Sequence, residues 1–279
     1  MERRTTGSVV CPSCGRLVGV SEPKCPHCGA WQPGLFGYGP ALQRAFGGQF
    51  DLTGGITVAC GILYALSLAL DPAAIFRMRG IFDILSPSGR SLFQLGMTGG
   101  LAWAAGQWWT LCTAVFLHGS LLHIVFNMLI MRQYMPNVVD LFGVPRAFLI
   151  YMAGGIGGFL VSNLAPAFLG GGHPTIGASG AIFGLFGALI AYGRRTGQSY
   201  ITQQLGMSAL FMFLMGFMMS STNNWAHAGG FAAGYGSSVL MHTSNRREGP
   251  GLVLLAAGIA LATLAGFVLS FFGFAPLFR

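Results

Sequence analysis

Between Arg146 and Arg194 the chain carries no Asp, Glu, Lys or Arg, and between Arg195 and Arg246 it again carries none. About 20 apolar residues cross a bilayer core, so each gap has room for two crossings and a short turn. Charged residues make up 8% of the chain, against roughly 25% in an ordinary globular domain. These features predict an all-α polytopic membrane protein. Spans are expected near 53–70, 111–134, 146–166, 178–193, 204–221, 225–242 and 251–273. Ahead of them lie a small head at 1–30 and a Gly- and Pro-rich linker at 31–52, with one amphipathic stretch, Ala41 to Phe50, suited to the interface. The membrane domain is then 53–279.

The net charge of +8 does not point to nucleic acid, because the basic residues sit in connectors rather than on one soluble face. Met1 to Val10 is short and polar, and a Cys-rich segment follows where a signal peptide would be apolar. A cytoplasmic N-terminus is therefore expected. With it inside, the inner segments hold Arg3, Arg4, Arg16, Lys24, Arg44, Arg132, Arg146, Arg194, Arg195, Arg246 and Arg247. The outer ones hold Arg77, Arg79, Arg90 and Arg279. This split matches the tendency of Lys and Arg to stay in the cytoplasm, and seven spans then put the C-terminus outside. The connector at about 71–110 falls on the outer side. Its Trp103, Trp108 and Trp109 read as interfacial anchors.

The head contains Cys11-Pro-Ser-Cys14-Gly and Cys25-Pro-His-Cys28-Gly. Two such turns aim four thiolates at one ion, the donor set of a structural Zn2+. Disulfides are disfavoured in a reducing compartment, and a thioredoxin-like pair lacks its βαβ context here. Four sulfurs close the shell, which leaves His27 a bystander and the metal without a catalytic position. Cys60 and Cys112 lie in or beside spans and read as packing residues.

Ionisable and polar groups inside spans are costly and tend to serve function. Ser179, in Gly177-Ala178-Ser179-Gly180, opens the fourth span, where helix N-terminal amides are unpaired and suit a developing oxyanion. A small-residue packing face is the competing reading of this motif. His227 begins the sixth span. Gly230 and Gly234 on that span, with Gly180 and Gly184 on the fourth, would let the two helices approach closely and bring His227 to Ser179. A satisfied core histidine is the alternative for His227 alone. His123 and Asn127 are spaced i, i+4 on one helix face and could aim two donors at one point, a side-chain oxyanion hole. Asn127 could equally serve an interhelical bond. His118 is read as structural. The fourth and sixth spans contain no Asp or Glu, and the chain lacks H-E-x-x-H. A Ser–His dyad is the remaining nucleophile–base pair.

These motifs together resemble the rhomboid family of intramembrane serine proteases: H-G-S-x-x-H-x-x-x-N at 118–127, G-x-S-G at 177–180, and A-H-x-G-G at 226–230 followed by Gly234. The resemblance covers about 53–273. It implies a six-helix bundle with a seventh C-terminal helix, preceded here by the zinc-ribbon-like head. It also implies Ser179 as nucleophile, His227 as general base, and His123 and Asn127 with backbone amides as oxyanion stabilisers. No cofactor is implied for catalysis. The implied substrates are single-span membrane proteins, cut near the outer face where residues are small and the helix weak, and the expected setting is a bacterial inner membrane. Family members often carry Trp-Arg where this chain has Trp109-Thr110, and Thr cannot supply the arginine's charge or donors. The rigidity of the outer loop is what this departure bears on. Two other classes remain: an inactive rhomboid-like protein that binds membrane clients, and a transporter or channel. Intact Ser179 and His227 argue against the first, and the lack of buried charges in the later spans argues against the second.

Overall fold

The computed structural model describes residues 5–11, 14–34, 51–76, 80–166, 168, 171–218, 222–241 and 250–273. The amphipathic stretch at 41–50 lies outside them. In the head, β1 (Ser8–Val10) and β2 (Leu17–Gly19) pair antiparallel with Val9 opposite Val18. Alternation along a strand sends every second side chain to one face. Here that face carries Val9 and Val18 into a small core with Val20, Cys11 and Cys25.

Helices dominate the rest of the described chain. All seven expected spans are present as helices: α1 (Leu52–Ala69), α5 (Leu121–Phe142), α6 (Val144–Leu164), α7 (Ser179–Arg195), α8 (Ser199–Met218), α9 (Asn224–Leu240) and α10 (Pro250–Gly273). The first connector folds into α2 (Gly89–Gln94), α3 (Gly100–Ala104) and α4 (Thr110–Thr113), with 3-10 turns at Pro72–Phe76 and Ile81–Asp83 before α2 and at Ala114–Phe116 after α4. By length and composition, α1, α6 and α10 are long and apolar enough to cross a membrane. The chain at Thr110–Phe116 and Leu121–Phe142 meets the test as one span bent by 91°. At 17 residues each, α7 and α9 are about 25 Å long at 1.5 Å per residue.

The second span therefore departs from its expected bounds. Its helix starts at Leu121 rather than 111 and continues to Phe142. The break is set by Gly119-Ser120. Ser120 is the N-cap and its Oγ accepts from the His123 N–H at 3.3 Å, a use for which Ser is well suited. At the other end Gly143 has φ +81 and serves both as the C-cap of α5 and the N-cap of α6. Such a left-handed residue favours Gly. Pro145 in the first turn of α6 helps the next helix to start at once.

Lipid is as apolar as leucine, so membrane helices associate through close packing rather than through burial from water. Helices α6, α7 and α9 meet through glycine. A Cβ at Gly154 of α6 would lie 2.9 Å from the Gly184 Cα of α7. At Gly230 of α9 it would strike the Gly180 carbonyl of α7, and at Gly234 the Gly184 carbonyl. The sequence expectation of two small-residue faces holds, and α6 adds a third. Tyr151, Phe159, Phe186, Met131 and Ile182 fill the fully buried centre of this bundle.

Candidate active site

Ser179 is the first residue of α7, so its hydroxyl stands beside helix amides that have no partner within the helix. The turn before it depends on Gly177, whose φ is +123 and whose N–H donates to the Ala114 carbonyl at 2.9 Å. His227 lies in the first turn of α9 and is buried. Its Nε2 is 2.9 Å from Ser179 Oγ. The glycine contacts between α7 and α9 explain this reach, since a Cβ at Gly230 would hold the helices apart.

The His227 ring stacks on Phe183, with centroids 4.4 Å apart and planes at 17°. Phe183 is four residues after Ser179 and so occupies the same face of α7. Among the described residues, His227 Nδ1 is buried without a hydrogen-bond partner. The imidazole is thus oriented by an aromatic face, where many serine hydrolases use a carboxylate. Phe183 belongs to no motif in the sequence, and its i, i+4 spacing from Ser179 is the signal that links the two.

His123 sits in the first turn of α5. Gly119 N–H donates to its Nδ1 at 3.2 Å, so in the neutral ring the proton resides on Nε2. That nitrogen faces the turn before Ser179, where a Cβ at Gly177 would fall 2.7 Å from it. The arrangement puts an imidazole N–H donor beside the turn that leads into Ser179. Asn127, buried one turn further along, donates from Nδ2 to the His123 carbonyl at 2.7 Å. One of its two amide hydrogens is thereby used within α5, leaving the second for another acceptor. His118 is 1% exposed, and its ring meets that of His123 edge-on at 5.1 Å. Among the described residues, both ring nitrogens of His118 are buried without a hydrogen-bond partner.

Thr110 does not leave the first connector loose. It is fully buried, and its hydroxyl lies 2.6 Å from the Gln107 carbonyl and 3.1 Å from Thr98 Oγ1. Thr98 in turn accepts from Asn163 Nδ2 at 3.2 Å. It also forms a two-way backbone bridge with Thr175, at 2.8 and 3.3 Å, in the segment leading to Ser179. Trp109 is held differently from a free interfacial anchor, because its Nε1–H donates to Ser270 Oγ of α10 at 3.0 Å. Trp108 remains 69% exposed.

In the head, the sulfurs of Cys11, Cys14, Cys25 and Cys28 all lie within 4.8 Å of one another. The Cys11–Cys28 and Cys14–Cys25 sulfur pairs are each 3.7 Å apart. A tetrahedral zinc shell with Zn–S of about 2.3 Å has sulfur–sulfur edges of roughly 3.8 Å, whereas a disulfide bond is about 2.05 Å. The four cysteines are therefore spaced to hold a metal ion such as zinc. Burial pushes the Cys25 thiol up, but hydrogen bonds from the Cys28 and His27 amides outweigh it and bring the group down to about 7. Burial raises Cys28 to about 12.

Comparison with known proteins returns the rhomboid domain, whose family profile matches residues 105–244. Rhomboid protease GluP of Bacillus subtilis is 31% identical over 169 residues, covering 59% of this chain and 32% of GluP. RHOMBOID-like protein 5 of Arabidopsis thaliana is 32% identical over 157 residues, covering 54% of this chain and 50% of that protein. YdcA of Bacillus subtilis is 32% identical over 149 residues, covering 52% of this chain and 73% of YdcA. The match thus spans about a third of GluP and half of the Arabidopsis protein. With its all-α polytopic fold and a profile match over half its length, the chain belongs to the rhomboid family of membrane proteins.

Proposed function

We propose that this protein is an intramembrane serine endopeptidase that cuts membrane-protein substrates in or near their transmembrane segments. The observation that carries the reading is the 2.9 Å approach of His227 Nε2 to Ser179 Oγ at the start of α7. In this mechanism Ser179 Oγ attacks the scissile carbonyl carbon while His227 Nε2 takes its proton. The carbonyl oxygen becomes an oxyanion, stabilised by the His123 Nε2–H, the second Asn127 amide hydrogen and the N-terminal amides of α7. His227 then gives its proton to the leaving amine, which departs with the C-terminal part of the substrate. Water hydrolyses the acyl-enzyme by the same route in reverse.

The glycine-packed entry of α9 supports this reading, because a dyad without a carboxylate partner needs its imidazole held by packing. The charge split between connectors supports an N-terminus inside and a C-terminus outside, with cleavage toward the outer face. A bacterial inner membrane is the setting proposed for it. We assign 1–30 as a zinc-ribbon head on Cys11, Cys14, Cys25 and Cys28, 31–52 as linker, and 53–279 as the membrane domain. One zinc per purified chain, lost in the Cys11→Ser/Cys28→Ser variant, is the result expected of metal analysis. Metal-free protein with an intact head would contradict it.

The test of activity is reconstitution into liposomes with a model single-span substrate. Ser179→Ala should lose cleavage by a factor of at least about 10³. In the same vesicles His123→Ala should lose about 10²–10³, the usual effect of deleting an oxyanion donor. Equal cleavage by wild type and Ser179→Ala would eliminate the dyad. Substrate capture without cleavage by wild type would favour the client-binding reading instead.

A further inference from the structure

Asn223 stands four residues before His227 and caps α9. Its Oδ1 accepts from the Ala226 N–H at 3.2 Å. A backbone N–H only donates, so this bond fixes which way the amide points. Nδ2 is then directed outward from the helix. It donates to Ser162 Oγ at 2.5 Å and to Thr175 Oγ1 at 2.9 Å. Both amide hydrogens and the oxygen are therefore in use.

The partners belong to different segments. Ser162 is fully buried near the end of α6. Thr175 lies four residues before Ser179, in the segment 171–177 that ends at the Gly177 turn. That segment is pinned elsewhere too: Thr175 bridges to Thr98, and Gly172 N–H donates to the Ser162 carbonyl at 2.8 Å. One side chain thus joins the helix start that carries His227 to the segment that carries Ser179, and anchors both on α6.

Taking the dyad reading above as its basis, we infer that Asn223 is a positioning residue that sets the distance between Ser179 and His227 by tying the 171–177 segment to the first turn of α9. Capping alone would be a structural role, and Ser performs it about as well as Asn. The tether is a separate property, because a serine side chain is too short to reach Ser162 and Thr175. Asn223→Ser therefore keeps the cap and removes the tie. Thr175→Val is nearly isosteric and removes the Thr175 bond of that tie, leaving the one from Asn223 to Ser162. It also deletes the Thr175 Oγ1–H bond to the His173 carbonyl, 2.9 Å in the wild type. A double-mutant cycle cancels that loss, since it occurs in both arms.

The experiment uses the full-length protein in liposomes with the model single-span substrate, together with hydrogen exchange of the same samples. Asn223→Ser is expected to lower kcat roughly tenfold with KM little changed, as suits a small misplacement of reacting groups. Its thermal midpoint should stay within a few degrees of wild type. Exchange in peptides covering 172–178 should quicken while the body of α7 stays protected. The double variant Asn223→Ser/Thr175→Val should lose less kcat than the product of the two single losses, because the two substitutions delete one shared bond. Unchanged exchange at 172–178 in Asn223→Ser, or strictly additive losses in the double variant, would overturn the inference. The exchange arm reads the tether even if wild type cleaves nothing, an outcome that would instead remove the protease reading.

Discussion

Helices α7 and α10 belong to one membrane bundle and are built by opposite rules. In the 17 residues of α7, Gly180 through Ala191 are all buried, and Gly180, Gly184 and Gly187 recur along it. The 24 residues of α10 are almost uniformly apolar, yet Leu254, Leu261, Leu264 and Phe272 are each more than 60% exposed. A helix enclosed by other helices meets no lipid, so it can be short, can begin on a serine, and is held by backbone contacts that tolerate no added atom. A helix facing lipid needs only apolar surface, and many side chains supply that. The proposed dyad lies where the enclosed α7 meets the first turn of α9, with the buried His227 at 2.9 Å from Ser179.

The comparison can be broken at either helix. The larger effect is expected from Gly230→Leu in α9, where even a Cβ would lie 2.8 Å from the Gly180 carbonyl carbon. Separation of the dyad should reduce kcat/KM by about 10²-fold or more, with Gly230→Ala falling between it and wild type. Liposome cleavage assays on folded protein check this, and full activity in Gly230→Leu would mean the glycines do not set the dyad. The smaller effect is expected from Leu264→Ala on α10. Its side chain is 62% exposed, so activity should stay within about twofold and stability within about 0.5 kcal/mol. A large loss there would show that α10 works through a specific surface.

The contrast also explains what was legible in the sequence. Span number and order follow from charge-free stretches, and Ser179, His227 and the glycine faces were visible because polar residues and paired glycines stand out in apolar segments. The head was legible from the spacing of Cys11, Cys14, Cys25 and Cys28. Residues that act through ordinary packing were not. Phe183 is one phenylalanine among 23; its i, i+4 spacing from Ser179 is a signal that ordinary packing pairs share, and the fold shows the imidazole stacked on it. Thr98, Thr175, Ser162 and Asn223 are distant in sequence and converge where the first connector, α6, the 171–177 segment and the start of α9 meet, which local pattern does not encode. The same convergence answers the question raised by Thr110: hydroxyl and amide contacts fix the connector in this chain without an arginine at that position. The bend at Gly119-Ser120 moved the start of the second span because a cap, rather than hydropathy, sets where α5 begins.

The most direct measurement of the central claim is covalent labelling with a fluorophosphonate, which reacts with an activated serine. Mass spectrometry of the folded protein in liposomes should find one adduct, on Ser179, and none in His227→Ala. Equal labelling of His227→Ala, labelling of wild type at another residue, or an unreactive Ser179 would contradict the dyad.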